Sequence, residues 1–178
     1  MKVTTDACLF GAWMAKDIAI NQQSNLRCLD IGAGTGLLSL MVAQQNAGCL
    51  IDAVEIDKEA AIQASENVDA ADKAGQVQVI HNDILQFRPT ARYDIIFSNP
   101  PFYENELKGE NIRKNLAHHN EGLLLPDLFS HLRELLKEDG SFYLLLPFKR
   151  VNEIQQLCTA NHCNIIDFIV ARPAIHLS

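Results

Sequence analysis

The sequence predicts an α/β fold of three layers, with helices on both faces of a mostly parallel sheet. Three observations carry this. Short apolar, strand-like runs alternate with helical patterns along all 178 residues. A glycine turn, Asp30-Ile-Gly-Ala-Gly-Thr-Gly36, joins the first such run to a helix. A later run, Tyr93–Ser98, stops abruptly at Asn99-Pro100-Pro101-Phe102. In open sheets of this kind, ligands bind at the carboxyl ends of the strands.

Taken in order, Asp6 is placed to cap a helix with Leu9, Phe10, Trp13, Met14 and Ile18 at helical spacing. A polar break over 21–25 precedes the first strand, 26–31. Gly32, Gly34 and Gly36 turn the chain into a helix over 37–45, and 49–56 is the second strand. An alanine-rich helix over 58–73 leads to a third strand, 77–80, closed by His81-Asn82-Asp83. After the fourth strand, residues 103–122 read as one long polar loop, a length usually reserved for function. Pro126 opens a helix over 126–137 that Asp139-Gly140 should stop. A fifth strand over 141–146, a helix over 151–161 and a sixth strand over 164–171 complete the pattern.

The length suits one domain, 1–178, and 48% hydrophobic residues suffice for a sizeable core. No apolar run approaches the 18 or so residues of a membrane span. Five scattered cysteines without paired spacing fit a reduced cytoplasm. Cys158 and His162-Cys163 have no second pair nearby, so a structural role outweighs metal binding and no metal is expected. The net charge of −7 argues against a strong nonspecific grip on nucleic acid.

The candidate site follows from chemistry at strand ends. Pro100 and Pro101 lack N–H groups and restrict the residues before them, so Asn99 is held with its amide outward. Its amide oxygen and the Pro100 carbonyl can accept both hydrogens of a planar –NH2 group, and Phe102 can stack on the attached ring. By itself, Asn-Pro is a common turn. The glycine spacing is G-x-G-x-G, with Leu37 where a dinucleotide fingerprint would place glycine. That favours a cofactor without pyrophosphate, S-adenosylmethionine. Glu55, ending the second strand, can accept the ribose hydroxyls; Asp83, ending the third, can accept from adenine. Asp30, Glu55 and Asp83 together suit a cationic, phosphate-free cofactor. Singly, each reads equally well as a solvated strand end or, for Asp30, a buried brace.

On these residues the chain resembles the class I, Rossmann-like methyltransferases over nearly its whole length. Asn99-Pro-Pro-Phe102 resembles the signature of enzymes that methylate amino groups conjugated to a ring or carbonyl. The segment Lys2-Val-Thr-Thr-Asp-Ala-Cys-Leu-Phe-Gly-Ala-Trp13 is similar to the opening of the valine tRNA adenine-N6 methyltransferase family. The resemblance implies a tRNA substrate with a flipped adenine beside the anticodon. It implies Asn99, Pro100 and Phe102 as catalytic residues. It carries cofactor contacts to Lys2, Thr5, Asp30, Gly32, Gly34, Gly36, Glu55, Ile56, Asp83, Ile84 and Asn99. Arg113-Lys-Asn-Leu-Ala-His-His119 resembles the family's following loop, with His118 or His119 where an Arg-His pair is usual. Arg113, Lys114, His118 and His119 are therefore candidate RNA contacts, although Glu104, Glu106 and Glu110 share that loop.

The resemblance is incomplete at both ends. The family has residues before Lys2, and its fold closes with a seventh, antiparallel strand for which the residues after Ala171 do not suffice. The sixth strand is then expected to leave a gap beside the fifth, or to shift onto it and expose an apolar edge. Other readings stay open: methylation of guanine N2 in ribosomal RNA or of a protein glutamine, a nicotinamide-dependent oxidoreductase, or a catalytically silent binding module.

Overall fold

The computed structural model describes residues 4–20, 25–100 and 123–172. Five strands form one sheet: β1 (Arg27–Ile31), β2 (Leu50–Glu55), β3 (Val77–His81), β4 (Tyr93–Ser98) and β5 (Leu136–Leu144). Their order is β3-β2-β1-β4-β5, and all four pairings are parallel. The helices are α1 (Thr5–Ile20), α2 (Leu37–Gln45), α3 (Lys58–Ala70), α4 (Leu125–Leu135) and α5 (Val151–Ala160), with a short 3-10 turn at Phe148–Arg150.

The strands read as nearly unbroken apolar runs because both faces of the sheet are covered. Alternation along β1 shows how. Cys28 packs with Phe10, Met14, Ile18, Val42 and Val68 of α1, α2 and α3. Leu29 and Ile31 point the other way, into a second cluster with Leu128 and Leu132 of α4. At the amino end of the sheet, Arg27 binds Asp52 and lies over the Tyr93 ring, 5.1 Å from its centre.

The structure corrects the expected elements at three places. Thr4, not Asp6, caps α1: its hydroxyl accepts from the Ala7 N–H at 3.3 Å, and Asp6 lies within the first turn. Asp139-Gly140 does not end a helix. α4 stops at Leu135, and β5 begins at Leu136 through a bulge, advancing from Leu136 to Ser141 while β4 advances from Tyr93 to Ile95. Asp94 pins this bulge by accepting from Lys137 at 2.6 Å and from the Arg27 N–H at 2.9 Å.

The third correction is the sixth strand. Residues 164–171 form no strand, neither across a gap nor shifted onto β5. Their composition favours β structure, but a strand needs a neighbour to pair with, and among the described residues none is offered. Ile165, Ile166, Phe168, Ile169 and Val170 are consequently exposed. No antiparallel pairing occurs among the described strands.

The bulge explains Gly140. A Cβ there would lie 2.7 Å from Leu136 Cγ and 3.0 Å from the Asp94 carbonyl oxygen, whereas one at Gly75 meets nothing within 4 Å. Gly140→Ala is expected to lower stability by about 1–3 kcal/mol through overpacking. Gly75→Ala should stay within about 0.5 kcal/mol. Urea denaturation of the two variants checks the contrast.

Candidate active site

The strand order reverses direction at β1, with β2 on one side and β4 on the other. Such a switch point opens a crevice at the carboxyl edge of the sheet, the common ligand site of open α/β folds. The register fills it. Ile31 lies opposite Ser98, so the next residues, Gly32 and Asn99, follow from paired neighbours. The Ser98 hydroxyl ties the two strand ends together by donating to the Ile31 carbonyl at 2.7 Å. Asn99 is half-buried and Pro100 buried.

The glycine turn needs its glycines for backbone reasons. Gly32, Gly34 and Gly36 have φ of 71°, 57° and 79°, values that side chains with a Cβ rarely adopt. A Cβ on Gly32 would meet nothing within 4 Å, so open space flanks the backbone there. The turn is held from three sides. Gly32 and Ala33 donate to the Val54 carbonyl, at 2.9 and 3.1 Å. Asn67 of α3 donates to the Thr35 carbonyl at 2.9 Å. Glu55 Oε2 accepts from the Gly34 N–H at 2.7 Å, while its Oε1 accepts from the Asp57 N–H at 2.8 Å.

Glu55 is therefore a buried clamp on the turn as well as a strand-end carboxylate. Each oxygen accepts from one protein N–H and, with two lone pairs, keeps capacity for a ligand hydroxyl. Asp83 is engaged similarly: Oδ1 accepts from the Leu85 N–H at 2.9 Å and Oδ2 from Gln86 Nε2 at 3.3 Å. Ile56 stands 64% exposed beside Glu55, an apolar surface at the rim of the crevice. Ile84 is buried in the core cluster with Leu29 and Val54, so its side chain packs inward. Thr5 is the exposed first residue of α1. Lys2, Pro101, Phe102, Arg113, Lys114, His118 and His119 lie outside the described residues.

Asp30 is the unusual group. It is fully buried, and its Oδ2 accepts from the Ser39 hydroxyl at 2.7 Å. Its Oδ1 has no hydrogen-bond partner among the described residues. Burial pushes the carboxyl up to about 7, partly offset by the Ser39 hydrogen bonds, with Glu55 adding a smaller upward push. A buried carboxylate with one unsatisfied oxygen, beside glycines with open space, fits a ligand that carries a positive charge.

Ser39, Asn67 and Ser98 were not singled out from the sequence. Ser39 sits inside the apolar run Leu37-Leu-Ser-Leu-Met-Val42, and a polar side chain on a buried helix face must find a partner. That signal was present. The other two depend on strand register and helix docking. At the far end of the fold, His162-Cys163 closes α5: His162 has φ 56° and the Cys163 N–H donates to the Cys158 carbonyl at 2.9 Å. All five cysteines are free thiols, and no three His, Cys, Asp or Glu converge on a metal position among the described residues.

This fold, with its glycine turn at the switch point, is that of the class I methyltransferases. Among solved structures, a ribosomal protein L11 methylase from Lactobacillus delbrueckii superposes with a TM-score of 0.69 at 20% identity, over 91% of this chain and 72% of that one. The family model of the methyltransferase small domain matches residues 14–147, and the chain belongs to that family. A tRNA1(Val) (adenine(37)-N6)-methyltransferase from Dyadobacter fermentans is 46% identical over 83% of this chain and 59% of its own length. One of the same name from Pseudoalteromonas translucida is 37% identical over 93% of this chain and 71% of its own length. The chain thus spans about three fifths of the length of several curated relatives it matches.

Burial of Asp30 has a thermodynamic sign. Its folded pKa lies above the ordinary aspartate value, so between about pH 4 and pH 7 the native state binds more protons than the unfolded state. Stability from this group is greatest at low pH and falls as pH rises to about 7, then levels. Thermal melts from pH 5 to 8 should show this fall in the wild type and a flatter profile in Asp30→Asn.

Proposed function

We propose that this chain is an S-adenosylmethionine-dependent methyltransferase that methylates N6 of an adenine in tRNA. The observation that carries this reading is the pairing of Ile31 with Ser98, which sets Asn99-Pro100 beside the glycine turn. A holder for a planar amine and a holder for a cationic nucleoside then share one crevice. The tRNA substrate rests on the names of relatives 35–46% identical to this chain. Among the described residues no helix is long and apolar enough to cross a membrane. Free thiols throughout and a tRNA substrate support a cytoplasmic setting.

When bound, S-adenosylmethionine supplies an electrophilic methyl group on a sulfonium. Glu55 holds the ribose hydroxyls with the lone pairs it does not spend on Gly34 and Asp57. Ile56 offers an apolar face and Asp83 an acceptor to the adenine. The exocyclic amine of the target adenine is a poor nucleophile, because its lone pair is delocalised into the ring. The Asn99 amide oxygen and the Pro100 carbonyl accept its two N–H bonds and localise that pair. No strong general base is required, since the proton can leave after transfer. Catalysis is positioning and fixed dipoles. An adenine in folded tRNA must first be extruded. The sequence supplies Phe102 as its stacking face and Arg113, Lys114, His118 and His119 as contacts to RNA.

Two substitutions separate cofactor holding from chemistry. Glu55→Ala is expected to weaken S-adenosylmethionine binding about tenfold or more, since both the ribose acceptor and the turn clamp are lost. Calorimetric titration measures it, and unchanged affinity would make Glu55 a structural clamp only. Asn99→Ala should bind the cofactor within about threefold of wild type yet lose about 10²–10³ in single-turnover methylation of valine tRNA. Near-wild-type turnover by this variant would remove Asn99 from the mechanism.

A further inference from the structure

The groups that hold cofactor and amine lie at the ends of β1 to β4, and they leave unused the turn that follows β5, where Phe148 stands 64% exposed. We propose that Phe148 is a substrate-contacting residue: its ring stacks on a base flanking the target adenine, so that the enzyme selects RNA whose flanking base is unpaired. The inference rests on the proposed tRNA reading and deepens it.

Position is the first argument. β5 runs parallel to β4 with Leu144 opposite Ser98, and the Leu145 N–H donates to the Ser98 carbonyl at 3.2 Å. The chain therefore leaves β5 at the same edge as Asn99-Pro100, on the adjoining strand, about 4.8 Å away. From Leu145 to Phe148 the chain reaches at most about 11 Å. That reach suits a nucleotide next to the one at Asn99, the contacts by which enzymes that extrude a base read its neighbours.

Single exposed apolar side chains are ordinary on protein surfaces. Phe148 differs in its rigidity and its neighbours. Pro147, at φ −61°, leads into the 3-10 turn, whose Arg150 N–H donates to the Pro147 carbonyl at 3.0 Å. Arg150 is tied in turn to Glu153 by bonds of 2.7 and 2.8 Å. The Phe168 ring meets Phe148 at 6.4 Å and 45°, which narrows the conformers Phe148 can take. A ring presented on fixed backbone loses little freedom on binding.

Charge divides the same edge. Asp30, Glu55 and Asp83 stand near the ends of β1, β2 and β3, the half that suits a cationic cofactor. Lys149 and Arg150 follow Phe148 at the end of β5, the half that suits phosphate. An aromatic face beside cations is what unpaired nucleic acid stacks on. Stacking also contributes in a chain whose net charge of −7 weakens nonspecific attraction to phosphate.

The test uses this chain with valine tRNA and with short single-stranded oligoribonucleotides carrying the target adenine. Phe148→Ala should raise the apparent KM for tRNA about tenfold, with kcat and S-adenosylhomocysteine affinity within about twofold of wild type. Phe148→Trp should keep the wild-type KM. Phe148→Leu, apolar but without a π face, should behave as Phe148→Ala. With wild-type protein, an abasic site on one side of the adenine should reproduce the same loss. Phe148→Ala should then lose nothing further on that RNA, the mark of a coupled pair.

A wild-type KM in Phe148→Leu would make this an apolar face for a protein segment and overturn the proposal. So would wild-type protein that binds both abasic RNAs as tightly as intact RNA, a result that needs no variant to fold. If wild-type protein methylates RNA and Phe148→Ala does so with unchanged KM, the proposal alone fails. Wild-type protein that binds neither tRNA nor oligonucleotide would overturn it together with the tRNA reading.

Discussion

The parallel pairing of β1 with β4 is the constraint on which the rest of this molecule depends. These strands are far apart in sequence, and the chain must cross between them after building β2 and β3 on the other side. Their register places Gly32 and Asn99 at one edge, and the Ser98–Ile31 bond locks that register from the side-chain direction. A slip by one residue would turn Asp30 from its pocket beside α2 into the apolar cluster against α4. Register and chemistry are thus one requirement.

Two carboxylates at the crevice solve different problems. Glu55 shapes the turn: its bonds to Gly34 and Asp57 fix backbone on both sides of the space a ligand would enter. Asp30 is fully buried, with one oxygen lacking a hydrogen-bond partner among the described residues. Its burial destabilises the charged form, and a cationic ligand relieves what burial imposes. A site of this type trades folded-state stability for affinity, as strained functional sites commonly do.

The far edge of the sheet behaves differently. β5 starts with a bulge fitted around Gly140 and held by Asp94, and a later segment rich in isoleucine pairs with nothing described. The same β-branched residues that bury well inside β1 and β2 are exposed here. Composition sets the preference for a strand, but pairing partners decide whether one forms.

The sequence by itself determined the α/β class, the strands from β1 to β4 nearly to the residue, the glycine turn and the acids that follow it. It could do so because those features are local: apolar runs covered on both faces, glycines required by positive φ, and prolines that stop a strand. It misplaced the start of β5 because a bulge is set by the partner strand, and Asp139-Gly140 has the same local chemistry in a bulge as in a turn. It overstated residues 164–171 because a strand is a property of two segments. Only the tertiary structure decided that one Asp30 oxygen has no partner among the described residues, that Ser39 anchors the other, and that Asn67 and Ser98 hold the crevice. Those facts come from contacts between residues 9 to 67 positions apart, which periodicity along a chain does not encode.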